Sequence, residues 1–178
     1  MRYRILSLFM VLLLVMSVSA FAEQEKQPIF DTFVTTDIHG NEQTETLLQN
    51  APLTFFNVWG TFCDPCIREM PDLAALATEY EGKVQFLGIV GDVNFGSGIN
   101  ADLQQLAVEI AEQTGADNYV HLVPSDEMNQ RVLYSVRAYP TTFFLDSNGY
   151  QVGTAYEGSR SKDDWKLIID QALASMES

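Results

Sequence analysis

Short apolar runs alternate with amphipathic stretches along most of the chain. Apolar runs of four to eight residues are typical of strands buried on both faces of a sheet, and apolar residues three and four apart are typical of helices. The pattern predicts strands at residues 53–58, 84–90 and 119–123, helices at 64–80, 101–114 and 126–134, a hairpin at 141–145 and 150–156, and a last helix capped at Ser161. This order indicates a three-layer α/β fold with a central mixed β-sheet flanked by helices.

The segment before residue 53 gives weaker signals. The turn at His39-Gly40-Asn41 predicts an N-terminal hairpin or irregular strand pair, and residues 44–49 predict a short helical turn. We see no repeat and no Pro/Gly/Ser-rich linker, so one domain with one core is expected.

Residues 1–22 have the layout of a secretory signal peptide. Arg2 and Arg4 precede an apolar run at residues 5–18, and Ala20 and Ala22 supply the small residues before a cleavage site. The run is shorter than the roughly 18 to 20 residues expected of a membrane span, so cleavage is favoured, with an uncleaved N-terminal anchor as the alternative. We therefore expect residues 23–178 to form an exported domain, periplasmic or otherwise extracytoplasmic, where disulfides form and persist.

The chain is acidic. Its 178 residues include 10 Lys and Arg against 24 Asp and Glu, a formal net charge of −14. Removing residues 1–22 takes away two arginines and no acids, which gives 8 − 24 = −16 for the mature chain. Nucleic acid is therefore a poor partner, and the charge indicates a self-repelling surface or an acidic face that selects basic proteins. We expect a monomer.

The two cysteines of the chain, Cys63 and Cys66, stand in one Cys-x-x-Cys run directly after the first buried strand. Both sulfurs can meet when the first cysteine is a helix N-cap and the second lies in the first turn, where Pro65 is tolerated. A helix N-terminus stabilises a thiolate, so Cys63 is predicted to attack and Cys66 to resolve. Beyond this redox-active disulfide no cofactor and no metal is expected.

Two other uses of the cysteine pair are disfavoured. A structural zinc site needs four ligands, and besides carboxylates only His39 and His121 are available, each alone and distant in sequence. An inert structural disulfide would close only a two-residue loop and add little stability. The pattern favours a reversible dithiol.

A longer set of residues resembles the TlpA/ResA-like branch of the thioredoxin-fold family. The set comprises FNVWGTFCDPC at residues 56–66, Glu69-Met70-Pro71, and AYPTTF at residues 138–143. The resemblance implies a thioredoxin-like fold with an N-terminal extension and a central helical insertion at residues 101–114. It also implies an extracytoplasmic thiol–disulfide oxidoreductase, usually a reductant of selected proteins, as in cytochrome c maturation. Its partners would be disulfide-containing client proteins and a membrane thiol electron donor, since the chain has no further cysteine to relay electrons.

The resemblance assigns roles to residues outside the cysteine pair. Pro140 corresponds to the family's cis-proline, with a trans turn as the alternative, and would leave the backbone of Tyr139 free to pair with an extended client segment. Asn57 stands where thioredoxins proper carry a buried aspartate, and an amide cannot titrate. Glu69, one turn after Cys66, is the expected replacement in proton exchange, unless it is a solvated residue on an exposed helix face.

A client-binding set is expected around the cysteine pair. It comprises Trp59, Phe62, Asp64, Pro65, Tyr139 and Thr141, with a plain core role equally open for Trp59. Phe62 departs from the Trp common at this position in the family. The negative charge of Asp64 opposes the helix field at Cys63 and disfavours the thiolate, so we predict a reductant unless pairing with Arg68 cancels the effect.

Two further functions stay open. A thiol peroxidase would share the fold, but the chain lacks a Pro-x-x-x-Thr-x-x-Cys arrangement, and Thr61 stands two rather than three positions before Cys63. A Cu(I)-binding chaperone would use Cys63, Cys66 and His121 as ligands. His121 lies in a predicted strand, where a hydrogen-bonded histidine is the commoner outcome.

Overall fold

The structure, a computed structural model, describes residues 27–177. Its strands are β1 (Val34–Asp37), β2 (Glu42–Thr44), β3 (Leu53–Trp59), β4 (Val84–Val90), β5 (Val120–Val123), β6 (Thr141–Asp146) and β7 (Gln151–Glu157). Its α-helices are α1 (Asp64–Glu79), α2 (Ala101–Thr114), α3 (Asp126–Arg131) and α4 (Lys162–Met176), and short 3-10 helices span Glu45–Asn50, Ala116–Asn118 and Leu133–Ser135. The predicted signal peptide, residues 1–22, lies outside the described residues.

The strands form one mixed sheet in the order β2-β1-β5-β4-β3-β6-β7. Strands β3, β4 and β5 run parallel, and the pairings β1–β2, β1–β5, β3–β6 and β6–β7 are antiparallel. The two long apolar runs are confirmed as β3 and β4, which lie near the middle of the sheet and are covered on both faces. The predicted N-terminal strand pair is confirmed as β1 and β2, and the closing hairpin as β6 and β7.

Alternate residues of β3 divide the core between the two faces of the sheet. Phe56 packs in a cluster with Phe30 of the N-terminal segment and Met128 of α3. Phe55 packs on the opposite face, in a cluster with Trp165 of α4 and residues of α1. Helix α2 joins α1 on this second face through a neighbouring cluster that includes both cysteines. The predicted three-layer architecture is therefore confirmed.

Side-chain caps fix where the later helices begin. Ser161 Oγ accepts a hydrogen bond from the Asp164 N–H and opens α4, and Ser125 Oγ does the same for Met128 and α3. The helix predicted at residues 126–134 is too long, because Val132 leaves the helical region at φ −127° and ψ −61° and a 3-10 turn follows. Among residues 27–177 no helix combines the length and apolar character needed to cross a bilayer.

The N-terminal extension is tied to the turn between β6 and β7. The N–H of Ile29 donates to the carbonyl of Gly149 at 2.8 Å. Gly149 has φ +83°, and a Cβ added there would overlap the carbonyl of Phe30. Glycine is therefore the residue that permits both the turn and this close approach.

Candidate active site

The two cysteines form a disulfide at the N-terminus of α1, with Cα atoms 5.3 Å apart. Cys63 is the N-cap residue, and its Sγ accepts a hydrogen bond from the Cys66 N–H at 3.3 Å. Pro65 lies in the first helical turn, as predicted, where no intrahelical partner is lost. The helix N-terminus therefore points its unpaired N–H groups at the sulfur of Cys63, which favours a thiolate when the disulfide is reduced.

The cysteine pair is nearly buried, and the first cysteine is the more exposed. Cys63 retains 5% of its accessible surface and Cys66 retains 1%. Both pack against Trp59 and Met70 in one apolar cluster. Within residues 27–177 no three His, Cys, Asp or Glu side chains are grouped so that they could hold a metal ion. The geometry is that of a disulfide in which Cys63 is the sulfur nearer to the surface.

An aromatic pair stands beside the disulfide. Phe62 is 66% exposed, and its ring contacts that of half-buried Tyr139 edge to face, with centroids 5.6 Å apart. The Tyr139–Pro140 bond is cis, as the resemblance implied. No backbone hydrogen bond of Tyr139 is found within residues 27–177. Its N–H and C=O therefore have no backbone partner in this part of the chain.

The other residues of the expected client-binding set differ in exposure. Asp64 and Pro65 are exposed on the first turn of α1. Asp64 makes no ion pair with Arg68 in the described chain, so its charge is not cancelled by that neighbour. Thr141 is 7% exposed and its Oγ1 donates to the Ala138 carbonyl at 2.8 Å, so this side chain shapes the loop rather than offering a surface.

Glu69 lies in the interior, 4% exposed, and not on a solvated helix face. The Asn57 amide donates to Glu69 Oε1 at 3.2 Å. The backbone N–H of Arg160 donates to Oε2 at 3.0 Å, and the Trp165 indole N–H donates to the same oxygen at 3.2 Å. Burial raises the pKa of Glu69, and these three donors partly oppose that rise. A carboxyl group with a raised pKa, one turn along α1 from Cys66, is suited to exchange protons.

Trp59 and His121 form a buried pair behind the disulfide. Trp59 is fully buried, and its indole N–H donates to His121 Nδ1 at 3.1 Å. His121 Nε2 donates to the Ala116 carbonyl at 2.8 Å, because Nδ1 is already the acceptor. Of the two roles open for Trp59, its burial supports the core role. Both ring nitrogens of His121 are engaged inside the protein, so the Cu(I) set that relied on it is not assembled.

Three residues of this region were missed by sequence reasoning. Asp92 accepts hydrogen bonds from the N–H of Thr61 at 3.1 Å and from its hydroxyl, and so holds the loop that leads to Cys63. Asp92 follows β4 as Thr61 follows β3, and the carboxyl ends of parallel strands meet at one edge of a sheet, so this contact could have been found. Trp165 and Arg160 carried no sequence signal for a place beside Glu69.

The fold and the site together define a thioredoxin-fold thiol–disulfide oxidoreductase. The AhpC/TSA family model matches residues 26–150. The thiol-disulfide oxidoreductase ResA of Geobacillus kaustophilus is 33% identical over 133 residues, which cover 74% of this chain and 69% of that protein. ResA of Geobacillus thermodenitrificans is 31% identical over 140 residues, covering 78% and 72%. The chain belongs to the AhpC/TSA family and, within it, to the ResA-like thiol–disulfide oxidoreductases.

Solved structures agree on the fold. The exposed lipoprotein thioredoxin Etrx1 of Streptococcus pneumoniae superposes with a TM-score of 0.63 at 22% identity, covering 79% of this chain and 98% of its own. StoA of Bacillus subtilis superposes with a TM-score of 0.56 at 17% identity, covering 76% and 94%. The predicted thioredoxin-like fold is thereby confirmed.

Proposed function

We propose that this oxidoreductase is exported and reduces disulfides of client proteins, as in cytochrome c maturation. The observation that carries the proposal is the Cys63–Cys66 disulfide at the N-terminus of α1, beside the cis peptide bond before Pro140. A reductase of this kind starts from the dithiol and ends at the disulfide. A membrane thiol donor then returns two electrons and two protons to the pair.

The proposed exchange assigns one step to each of Cys63, Cys66 and Glu69. The Cys63 thiolate attacks one sulfur of a client disulfide, which forms a mixed disulfide and releases one client thiolate. Cys66 gives its proton to the Glu69 carboxylate, and the resulting thiolate attacks Cys63 Sγ. The Cys63–Cys66 bond forms, the mixed disulfide breaks, and the second client thiolate leaves and takes up a proton, which balances the proton that Glu69 then releases to solvent.

Substrate contact is proposed along the surface formed by Phe62 and Tyr139. The free backbone groups of Tyr139 would pair with an extended client segment, and the exposed ring of Phe62 would cover one side of it. This contact would recognise the backbone of the client segment and cover it with an apolar ring, and it would not require one particular client side chain. It therefore suits several clients. We propose that the client segment brings its disulfide to Cys63.

The reducing direction is supported by charge. Asp64 is exposed in the first turn of α1, where its negative charge opposes the thiolate that a strong oxidant must stabilise.

Export is supported by the signal-peptide layout of residues 1–22. A structurally similar disulfide oxidoreductase of Mycobacterium tuberculosis is described as secreted, and Etrx1 is described as an exposed lipoprotein.

The order of attack is tested by trapping the mixed disulfide. Reduced Cys66→Ser protein is mixed with a peptide that carries one internal disulfide, and adducts are followed by mass. We expect a stable adduct through Cys63, because no second thiol resolves it. The matched Cys63→Ser variant should give much less adduct, since Cys66 is the more buried cysteine. Equal trapping by both variants, or preferential trapping by Cys66, would contradict the assigned roles.

A further inference from the structure

The two carboxylate oxygens of Glu69 are unequally engaged. Oε2 accepts two N–H donors, the backbone of Arg160 at 3.0 Å and the indole of Trp165 at 3.2 Å. Oε1 accepts one donor, the Asn57 amide at 3.2 Å. Each carboxylate oxygen offers two lone pairs. Oε2 is therefore fully used, and Oε1 has the lone pair that can take a proton.

We propose that Trp165 and the backbone N–H of Arg160 are positioning groups that hold Oε2 as an acceptor, so that Oε1 is the atom that takes up and releases the proton of Cys66. This inference rests on the proposed function of Glu69 in thiol–disulfide exchange. When the Cys66 S–H bond breaks, the O–H bond forms at Oε1, and Oε2 keeps both of its hydrogen bonds. The carboxyl group then does not rotate between protonation states.

The corner between β7 and α4 is built to keep the indole N–H in place. Trp165 is fully buried, and its ring packs edge to face against Phe55 at 5.1 Å and Tyr156 at 5.9 Å between centroids. The Arg160 guanidinium lies 5.0 Å from the Trp165 ring and 5.1 Å from that of Tyr156. The same guanidinium donates to the carbonyls of Glu157 and Gly158. Arg160 is thereby fixed, with its backbone N–H directed at Glu69.

Within residues 27–177 few charged groups surround Glu69, so the hydrogen-bond donors on Oε2 have a strong influence on its ionisation. The charged or titratable groups that interact with Glu69 are Arg160 from the β7–α4 corner and the phenol of Tyr119 before β5, while β3 supplies the neutral amide of Asn57. Hydrogen bonds to a carboxylate favour its charged form, and in a desolvated site few other groups do so. Removing one donor from Oε2 must therefore make the carboxyl group harder to ionise.

The test measures the Glu69 titration in the oxidised protein, where both cysteines are held in the disulfide and do not titrate. Carboxyl carbons are labelled with ¹³C in glutamate and followed by NMR against pH. Trp165→Phe removes the donor, and site-specific replacement of Trp165 by 3-benzothienylalanine removes it with little loss of ring volume. We expect both changes to move the Glu69 midpoint to higher pH. Ile169→Val, which thins the same core cluster and keeps the indole N–H, should leave it in place.

The outcomes separate this inference from the function on which it rests. A midpoint unmoved in the benzothienylalanine protein, or moved equally by Ile169→Val, overturns the positioning role. The pH profile of client-disulfide reduction by the reduced proteins is then compared with the NMR midpoints. The acid limb is the part of this profile in which the rate of client reduction falls as the pH is lowered. If the acid limb moves with the Glu69 midpoint, both the positioning role and the proton role are supported. If the midpoint moves and the limb stays, the positioning role holds and the proposed proton role of Glu69 fails.

Discussion

Protonation of His121 should lower the free energy of unfolding of the protein. His121 is 2% exposed, accepts the Trp59 N–H at Nδ1 and donates from Nε2 to the Ala116 carbonyl. Adding a proton would place an N–H at Nδ1 directly against the Trp59 N–H. Burial of the ring lowers the pKa of His121 from 6.5 to about 4.

The sign and size of the effect follow from this difference. Because the folded pKa lies below the unfolded one, the unfolded chain takes up the proton first, and the neutral His121 contributes its full stability only above about pH 6.5. That contribution is lost as the pH falls to about 4. The interval of 6.5 − 4, or about 2.5 pH units at 1.36 kcal/mol each, corresponds to about 3 kcal/mol. This is a large part of the roughly 5 to 15 kcal/mol that stabilises a typical domain.

The assay compares wild-type protein with His121→Gln by urea unfolding at a series of pH values from 7 to 4. A glutamine can accept from Trp59 through its oxygen and donate to Ala116 through its nitrogen, but it does not titrate. The two proteins therefore differ at the titrating group under test. The wild-type advantage in the free energy of unfolding should therefore fall by about 3 kcal/mol over this range.

A second variant, His39→Gln, removes an exposed side chain on the turn between β1 and β2 whose electrostatic interaction helps to lower the pKa of His121. Because burial is the larger cause of that lowering, this variant should keep most of the pH dependence of the wild type. If the stability curves of wild type and His121→Gln run parallel from pH 7 to 4, the inferred burial and bonding of His121 are wrong.

Three further changes have defined outcomes. Gly88→Ala places a Cβ against His121 Nδ1 and should cost about 1 to 3 kcal/mol in urea unfolding at pH 7, and a neutral result would mean that the Trp59–His121 pair is loosely packed. Ser161→Ala removes the N-cap of α4 and should cost about 1 kcal/mol, while a loss below about 0.3 kcal/mol would argue against the cap. Glu69→Gln should slow client reduction by about 10²- to 10⁴-fold in stopped flow and change the acid limb of its pH profile, which would then depend on the Cys63 thiol without Glu69, and an unchanged profile would exclude the proton role.

Much of the fold could be predicted from the pattern of apolar and polar residues, because the strongest signals in that pattern are local. The apolar runs of β3 and β4 needed no knowledge of their partners, since strands covered on both faces are apolar throughout. The N-cap position of Cys63 followed from the two-residue spacing of the cysteines and from Pro65. The length predicted for α3 was wrong because Val132 and Leu133 continue the apolar periodicity after the backbone has left the helix.

The surroundings of Glu69 could not be read from the chain. Arg160 and Trp165 stand 91 and 96 residues away from Glu69, and they reach it because α4 packs beside α1. The partnership of Trp59 with His121 spans 62 residues and depends on the parallel pairing of β3, β4 and β5. Trp165 is buried on α4, but its place in the sequence does not say where its indole N–H points. Tertiary contacts of this kind are set by packing between elements.

The direction of electron flow is the central claim, and the equilibrium reduction potential of the Cys63–Cys66 pair tests it most directly. The protein is equilibrated in defined thiol–disulfide buffers, alkylated, and the two forms are counted by mass. We predict a value near or below about −220 mV, as for a reductant of client disulfides. A value near about −120 mV, typical of a strong oxidant, would contradict the proposal and the part assigned to Asp64.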